Sequence, residues 1–274
     1  MPDQQPLEGE VLPSTDADTP ADSSDATPPV PARIRPSTLY LLPLVEKPFF
    51  PAQTLPLLMN EKPWLETIKK IGDTSHKMVG LLLVKPDVSD DARPEDFYSV
   101  GTMVNMHHPV RSEGKMQFIA EGQARFRIVS WISRKPPYLA QVEYPGEPLS
   151  RNEDEMKAYA MAIINTIKDL IPLNPLYSEE LKFFLNRFSP NEPSFLADFA
   201  ASLTTATKED LQKVLEAFNL RKRMEKVLVL IKKELDVAKL QSKIREQVEH
   251  KLSDRQREFF LREQLKEIQK ELGL

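Results

Sequence analysis

Residues 221–272 read RKRMEKVLVLIKKELDVAKLQSKIREQVEHKLSDRQREFFLREQLKEIQKEL, a stretch without a single Gly or Pro. Because these two residues usually interrupt helices, the stretch predicts one very long helix or two helices nearly end to end. At 1.5 Å per residue its length would be about 78 Å, more than the width of a small domain. We therefore expect this helix to connect one folded body to another rather than to fill a core.

Apolar residues in this stretch follow a coiled-coil rhythm that changes phase. The first seam steps by four and three residues and comprises Met224, Leu228, Ile231, Leu235 and Ala238. The phase shifts around Ile244, and the rhythm resumes at Leu261. A face that rotates in this way suits a helix that touches different neighbours along its length. Residues 253–256 (SDRQ) resemble a capping box, so a kink or new start near Ser253 stays open.

Residues 37–149 predict a β domain. Short apolar runs bounded by Pro, Gly or Asp are typical of a barrel or sandwich, and they lie at 39–45, 54–59, 78–84, 98–107, 116–120, 125–131 and 139–144. The pairs Glu113-Gly114 and Glu121-Gly122 lie where hairpin turns are expected. A single helix is predicted between Pro63 and Gly72.

Residues 150–220 predict a small helical bundle. A capping box at Ser150 to Glu153 indicates a helix that ends near Leu170, and short helices are expected at about 179–188 and 194–203. Thr207 would cap the next helix. The fold class predicted from the whole pattern is α+β, with a β-rich domain, a bundle and a very long C-terminal helix over residues 221–274.

Composition excludes several classes of protein. Residues 1–36 are rich in Pro, Asp, Ser and Thr, which predicts a disordered acidic tail. The net charge of −4 argues against a dedicated nucleic-acid binder, and the absence of Cys excludes disulfides and thiolate metal sites. No apolar run approaches the roughly 18 residues that span a bilayer. Together these features indicate a soluble, cytoplasmic protein without membrane contact.

The sequence offers no catalytic, cofactor-binding or metal-binding residues. It lacks the phosphate-binding pattern G-x-x-x-x-G-K-[ST] and the nucleophile elbow G-x-S-x-G. Adjacent residues of a strand point to opposite faces, so His107 and His108 should not share a metal ion. The excess of 15 basic over 10 acidic residues in 221–272 leaves weak contact with DNA open.

Phe259 and Phe260 stand out in so polar a helix. Together with Leu261 they cannot all share one seam, so at least one apolar side chain should face a partner. That partner would be either the rest of a larger protein or a bound chain.

Several segments of the chain, in their order along the sequence, resemble segments of one known family. Residues 256–273 (QREFFLREQLKEIQKELG) resemble a conserved block of Lon, the ATP-dependent protease, and residues 239–244 (KLQSKI) and 196–199 (LADF) resemble two further Lon segments. The β region is similar as well, at Leu42-Pro43-Leu44, Phe50-Pro51, Leu55-Pro56-Leu57, 98–102 (YSVGT) and 121–125 (EGQAR). Ala52 stands where Lon usually has Gly, which indicates a divergent member.

The resemblance implies a PUA-like β pseudo-barrel and a long helix leading into an ATPase module. It also implies a parent protein, normally a hexameric ring, that uses ATP and magnesium to unfold damaged or regulatory proteins and a Ser-Lys dyad to cut them. None of those catalytic residues falls within this chain, so we expect the chain itself to be non-catalytic. Its implied roles are substrate recognition, protein quality control and ring organisation.

A partly apolar surface of the β domain would bind unfolded chains, for which Met and Phe are suitable residues. The candidates are Met103, Met106, Met116 and Phe118, with Phe259 and Phe260 on the long helix; for the first four, core packing is the alternative. Two other functions stay open, a free-standing interaction adaptor and a nucleic-acid-binding module.

Overall fold

Six strands form one mixed sheet in the computed structural model, which describes residues 35–85, 92–147, 152–173 and 191–272. The strands are β1 (Thr38–Leu44), β2 (Thr54–Asn60), β3 (Met78–Leu83), β4 (Val100–Ser112), β5 (Lys115–Ser133) and β6 (Leu139–Glu143). Their order is β2-β5-β4-β3-β1-β6, and β6 also pairs with β5. The predicted runs 116–120 and 125–131 therefore belong to a single strand.

The length of β5 allows the sheet to close. Residues 115–121 of β5 pair with β2, and residues 127–133 pair with β6. Along its other edge β5 pairs with β4, which is followed by β3, by the parallel strand β1 and by β6. The result is a ring of five strands with β2 attached outside it. The predicted PUA-like β pseudo-barrel, in an α+β fold, is confirmed.

The two predicted hairpin turns have different outcomes. Glu113 and Gly114 both have positive φ, 51° and 74°, and they join Ser112 to Lys115 in a tight turn as predicted. The prediction for Glu121-Gly122 is wrong, because β5 continues through this pair with a bulge against β4. Gly122 is required there by close packing, since a Cβ would lie 2.5 Å from the carbonyl oxygen of Phe50.

The helices are α1 (Glu61–Gly72), α2 (Glu153–Leu170), α3 (Pro193–Ser202), α4 (Lys208–Leu215) and α5 (Leu220–Glu271). Thr207 caps α4 as predicted, accepting a hydrogen bond from the N–H of Asp210 at 3.3 Å. The predicted cap of α2 at Ser150 is wrong: Asn152 caps this helix, because its side chain accepts from the N–H of Glu155. The helix predicted at 179–188 and the predicted tail at 1–36 lie outside the described residues, apart from Arg35 and Pro36.

α5 is one continuous helix of 52 residues, including the region of Ser253 where the sequence left a kink open. Its first part packs against α2 and α3 through buried side chains, and from residue 239 to 272 nearly every residue is exposed. The very long C-terminal helix is therefore confirmed. The division of the chain into domains at residues 36, 149 and 220 stays a prediction.

Two apolar cores hold the structure. One fills the pseudo-barrel and includes Trp64, Phe126 and Tyr138. The other lies among α2, α3, α4 and the first part of α5, and it also takes in Phe50 and Val100 from the β region. Because Val100 is a residue of β4, the helices cover the outer face of the pseudo-barrel around this residue.

Candidate functional site

An apolar groove lies where the ring of strands leaves β2 outside. β1 continues beyond its pairing with β6, which ends at Tyr40, and β2 pairs with β5 alone among the described strands. The segment from Pro43 to Phe49 therefore runs opposite β2 and encloses a cavity of about 650 Å³ with it. That volume is in the range of ordinary ligand pockets.

The groove exposes apolar side chains to solvent. Leu55 and Leu58 of β2 are 45% and 62% exposed, and Val45 on the opposite wall is 57% exposed. Leu44, Leu57, Phe49 and Trp64 line the cavity more deeply. Adjacent exposed apolar side chains of this kind mark binding surfaces more often than isolated ones do.

Hydrogen bonds hold the wall of the groove opposite β2 in place. The hydroxyl of Thr102, in β4, donates to the carbonyl oxygen of Phe49. Lys208, which begins α4, donates to the carbonyl oxygen of Val45 at 3.4 Å, and Lys47 donates to that of Thr204 at 3.5 Å. The wall opposite β2 is therefore attached to both the sheet and the helices.

The four candidates predicted for substrate contact in the β domain lie in the core. Met103, Met106, Met116 and Phe118 are 2%, 8%, 1% and 1% exposed and belong to the core of the pseudo-barrel. They form no accessible surface in this structure, and the core-packing alternative describes their position. A role for them in substrate binding stays a prediction.

The sequence of β2 contains a pattern that could have identified the groove residues, which the sequence analysis did not predict. The run TLPLLMN carries apolar residues at consecutive positions, so both faces of this strand are apolar. Pro56 within it indicates an edge strand, since Pro cannot donate to a neighbouring strand. An apolar edge strand offers apolar side chains together with backbone N–H and C=O groups that no neighbouring strand pairs.

Phe259 and Phe260 are both 66% exposed on the distal part of α5. They lie among further exposed apolar residues, namely Leu240, Ile244, Val248, Leu252, Leu261, Leu265, Ile268 and Leu272. All these side chains are more than half exposed in the described structure, and the contact of Phe259 and Phe260 with a partner stays a prediction.

A buried ionic cluster joins the sheet to the helices. Arg125 of β5 donates to Asp198 of α3, and its Nε donates to the carbonyl oxygen of Leu215 at 3.0 Å. Arg223 of α5 is fully buried; it pairs with Glu147 and has one terminal nitrogen 3.6 Å from Asp198. Two arginines thus face two carboxylates, which offsets part of the cost of burying the charges. The Nε and Nη1 atoms of Arg223 are buried and make no hydrogen bond to the described residues.

The cluster shifts the pKa of two of its members. Burial lowers the pKa of the Arg125 guanidinium, and the charge of Asp198 opposes that effect. Burial raises the pKa of Glu147, but the charge of Arg223 and a hydrogen bond from Ser194 outweigh it, so the pKa lies below its ordinary value. The lowered pKa of Glu147 keeps its carboxylate charged at neutral pH, as expected for a structural connection.

The described residues contain no group of three or more His, Asp or Glu side chains placed to hold a metal ion. His107 instead lies 2.9 Å from a carboxylate oxygen of Glu121. Among the helices of the described part of the chain, none is both long enough and apolar enough to cross a membrane.

Comparison with known proteins identifies the family of this chain. The family model described as the ATP-dependent protease La (LON) substrate-binding domain matches residues 38–233. The chain belongs to the Lon substrate-binding domain family. The match includes β1 to β6, the groove and α5 as far as residue 233.

Curated Lon proteases are similar over most of this chain. Lon protease 2 of Hydrogenovibrio crunogenus is 51% identical over 240 residues, which cover 88% of this chain and 27% of the relative. The Lon protease of Magnetococcus marinus is 43% identical over 259 residues, or 92% of this chain and 32% of the relative. The chain thus spans about a third or less of these relatives' length.

Two solved Lon N-terminal domains share the fold. The N-terminal domain of the Mycobacterium avium complex Lon protease superposes with a TM-score of 0.56 at 18% identity, covering 71% of this chain and 98% of that domain. A Lon N-terminal domain protein from Xanthomonas campestris gives a TM-score of 0.50 at 19% identity, over 70% and 97% of the two chains.

Proposed function

We propose that this chain is the substrate-recognition region of an ATP-dependent serine protease of the Lon type, which degrades misfolded and selected regulatory proteins. Membership of the substrate-binding family and the names of the relatives support this proposal. In the proposed parent protein, further modules hydrolyse ATP with magnesium and cleave peptides with a Ser-Lys dyad. The role of this chain is to bind the polypeptide before unfolding begins.

The groove beside β2 carries the proposal. It combines a cavity of about 650 Å³ with exposed Leu55, Leu58 and Val45. An unfolded polypeptide differs from a folded one in offering apolar side chains to such a surface. Burying each of those side chains contributes on the order of 1–3 kcal/mol, which gives binding without a fixed sequence.

The remaining parts of the proposal concern the parent assembly. α5 would hold the β region away from the ATPase modules and help neighbouring subunits associate in a ring, in which a hexamer is expected. Phe259 and Phe260 would contact another part of that assembly or a bound chain. A cytoplasmic location is supported by the absence of Cys, and weak contact of α5 with DNA stays a prediction.

Titration calorimetry with an unfolded polypeptide tests the recognition role. The probe is α-lactalbumin held unfolded by reduction and carbamidomethylation, and the reference is the same protein in its native, disulfide-bonded form. We expect the chain to bind the unfolded probe with micromolar affinity and to ignore the native form. Equal affinity for both, or no heat with either, would contradict the proposal.

A matched pair of variants locates the binding surface. Leu55→Ser removes an apolar side chain from the groove, and we expect it to weaken binding about fivefold, because less apolar area is buried in the complex. Val229→Ser removes an equally apolar side chain from α5, where it is 67% exposed and distant in sequence from the groove. This control should bind the unfolded probe with the same affinity as the unsubstituted chain.

A further inference from the structure

The outer edge of β2 carries backbone groups that no described strand pairs. The N–H of Gly122 donates to the carbonyl oxygen of Gln53 at 2.9 Å, so Gln53 faces β5. The backbone N–H and C=O groups of successive residues in an antiparallel strand point to alternate edges of the strand. The residues of β2 whose backbone groups also point toward β5 are therefore Leu55, Leu57 and Met59. Thr54, Pro56 and Leu58 therefore point their backbone groups toward the groove.

Pro56 supports this assignment independently. Pro lacks an N–H and occurs in sheets where that group would face away from the neighbouring strand, which is the orientation derived from Gln53. Between Thr54 and Leu58 the edge consequently offers three carbonyl oxygens and two N–H groups. The row of donors and acceptors spans about 16 Å in an extended strand.

The wall of the groove opposite β2 is formed by the chain that follows the pairing of β1 with β6. Beyond Tyr40, β1 pairs with β3 alone, and the segment from Pro43 to Phe49 lies across the cavity from β2. An extended chain placed on the β2 edge would enter this cavity with every second side chain. Those side chains would meet the apolar lining formed by Leu44, Phe49 and Trp64.

We propose that the groove binds an extended segment of an unfolded polypeptide as an added strand on β2. Main-chain hydrogen bonds to Thr54, Pro56 and Leu58 supply affinity for any sequence, and alternate apolar side chains fill the cavity. The occupant is a Pro-free segment with apolar residues at every second position. This inference rests on the proposed recognition function and adds the binding mode to it.

A second copy of β2 fits the edge less well. Edge-to-edge pairing of two identical strands needs a continuous row of donors and acceptors, and a Pro on the edge interrupts that row. In such a pair each of the two copies of Pro56 would lack a backbone N–H, so two hydrogen bonds would be lost. A peptide that contacts the edge over a few residues loses only one bond.

Two substitutions at one position separate main-chain from side-chain binding. Leu58→Pro removes an outward N–H and leaves the hydrogen bonds to β5 intact, whereas Leu58→Ala keeps the N–H and shortens the side chain. The probe is a fluorescein-labelled nine-residue peptide with Leu at alternate positions, Ser between them and Lys at both ends. By fluorescence anisotropy we expect Leu58→Pro to bind about fivefold more weakly than Leu58→Ala. Equal affinities of the two variants would overturn strand addition.

Backbone methylation of the peptide gives a test that needs no variant protein. One version carries N-methyl groups on alternate residues, and a second carries them on the intervening residues. Only one edge of an added strand can face β2, so one version should lose binding and the other should keep it. The same loss with both versions, or with neither, would overturn the proposal.

The outcomes distinguish the two levels of inference. Binding of unfolded α-lactalbumin that Leu58→Pro does not weaken leaves the recognition function standing and refutes strand addition. Absence of binding to both α-lactalbumin and the peptide refutes both. Dimerisation of the chain that Leu58→Pro abolishes, without peptide binding, would assign the edge to a second copy and overturn the proposal.

Discussion

Gly101 lies where β4 packs closely against its neighbours. A Cβ at this position would overlap the carbonyl oxygen of Leu81 and would lie 2.8 Å from both Leu82 Cδ1 and Phe126 Cζ. The carbonyl belongs to a paired strand and cannot move aside without disturbing the ladder. We expect Gly101→Ala to lower the free energy of unfolding by about 1–3 kcal/mol in urea denaturation.

Gly72 supplies the control for this substitution. It ends α1, and beyond the two adjoining residues and the backbone of its own helix no described atom lies within 4 Å of the position that a Cβ would occupy. Ala reduces the entropy of the unfolded chain, so Gly72→Ala should be neutral or stabilising by up to about 1 kcal/mol. Similar losses in both variants would mean that packing at Gly101 is not the cause.

Burial of individual side chains is the least predictable property at this scale. Met103 and Met106 are candidates for a surface on sequence grounds, yet they are buried, whereas Leu58 is exposed. Alternation identifies a strand with one face exposed to solvent. In β4, however, helices cover the outer face around Val100, and the first five residues are all buried. No local pattern in the sequence records which strand another element will cover.

At the scale of elements, α5 consists of a buried part and an exposed part. Met224, Val227 and Ile231 are fully buried, whereas Ile244 and Val248 are 51% and 59% exposed. Removing residues 244–274 should therefore leave the free energy of unfolding within about 0.5 kcal/mol of the full chain. Far-ultraviolet circular dichroism should register the lost helix, and urea denaturation the unchanged stability.

A substitution in the buried part provides the comparison. Ile231→Ala leaves a cavity in the core between α5 and its neighbours, and we expect it to cost about 2–5 kcal/mol. If removal of residues 244–274 lowered the free energy of unfolding by a similar amount, the distal part of α5 would have to pack against the rest of the chain.

The sequence predicts the helix well and its seam less well. The predicted stretch 221–272 agrees with the observed helix Leu220–Glu271 to within one residue at each end. The absence of Gly and Pro does not by itself set the start of this helix, because α3 and α4 both end within the Gly- and Pro-free run that begins at Ser194. Val227 is fully buried although the predicted seam contains Leu228. α5 contacts α2 and α3 together, so its apolar stripe is wider than the two positions per heptad of a coiled coil.

At the scale of the molecule, Asp198 connects the sheet to the long helix. Its carboxylate meets Arg125 of β5 and Arg223 of α5, and its side chain is 3% exposed. Asp198→Ala would leave two buried guanidinium groups with a single carboxylate, that of Glu147. We expect a loss of about 3–5 kcal/mol in the free energy of unfolding, measured by urea denaturation.

An exposed ion pair is the matched control. Glu95 pairs with Arg134, and the two side chains are 63% and 61% exposed. Water already solvates both charges, so Glu95→Ala should cost at most about 1 kcal/mol. If Asp198→Ala cost no more than this, the cluster would contribute little to joining the sheet and the helices.

Long-range pairings such as this one are beyond sequence reasoning. Arg125 and Asp198 are 73 residues apart in the sequence. No pattern in the residues around either of them predicts that they form an ion pair. The closure of the sheet has the same character, since β1 pairs in parallel with β3 and β6 returns to β5. The family resemblance supplies the architecture, whereas residue patterns supply only the strands and helices within it.

The exposed part of α5 has a mechanical consequence. From residue 239 to its end at Glu271, the helix extends about 50 Å beyond the last core contact. A rotation of about 10° at the buried base would move the tip by about 9 Å at this length, so the helix acts as a lever that amplifies small repacking around Ile231. Ion pairs one turn apart, such as Arg262 with Glu258 at 2.6 Å, stiffen this arm.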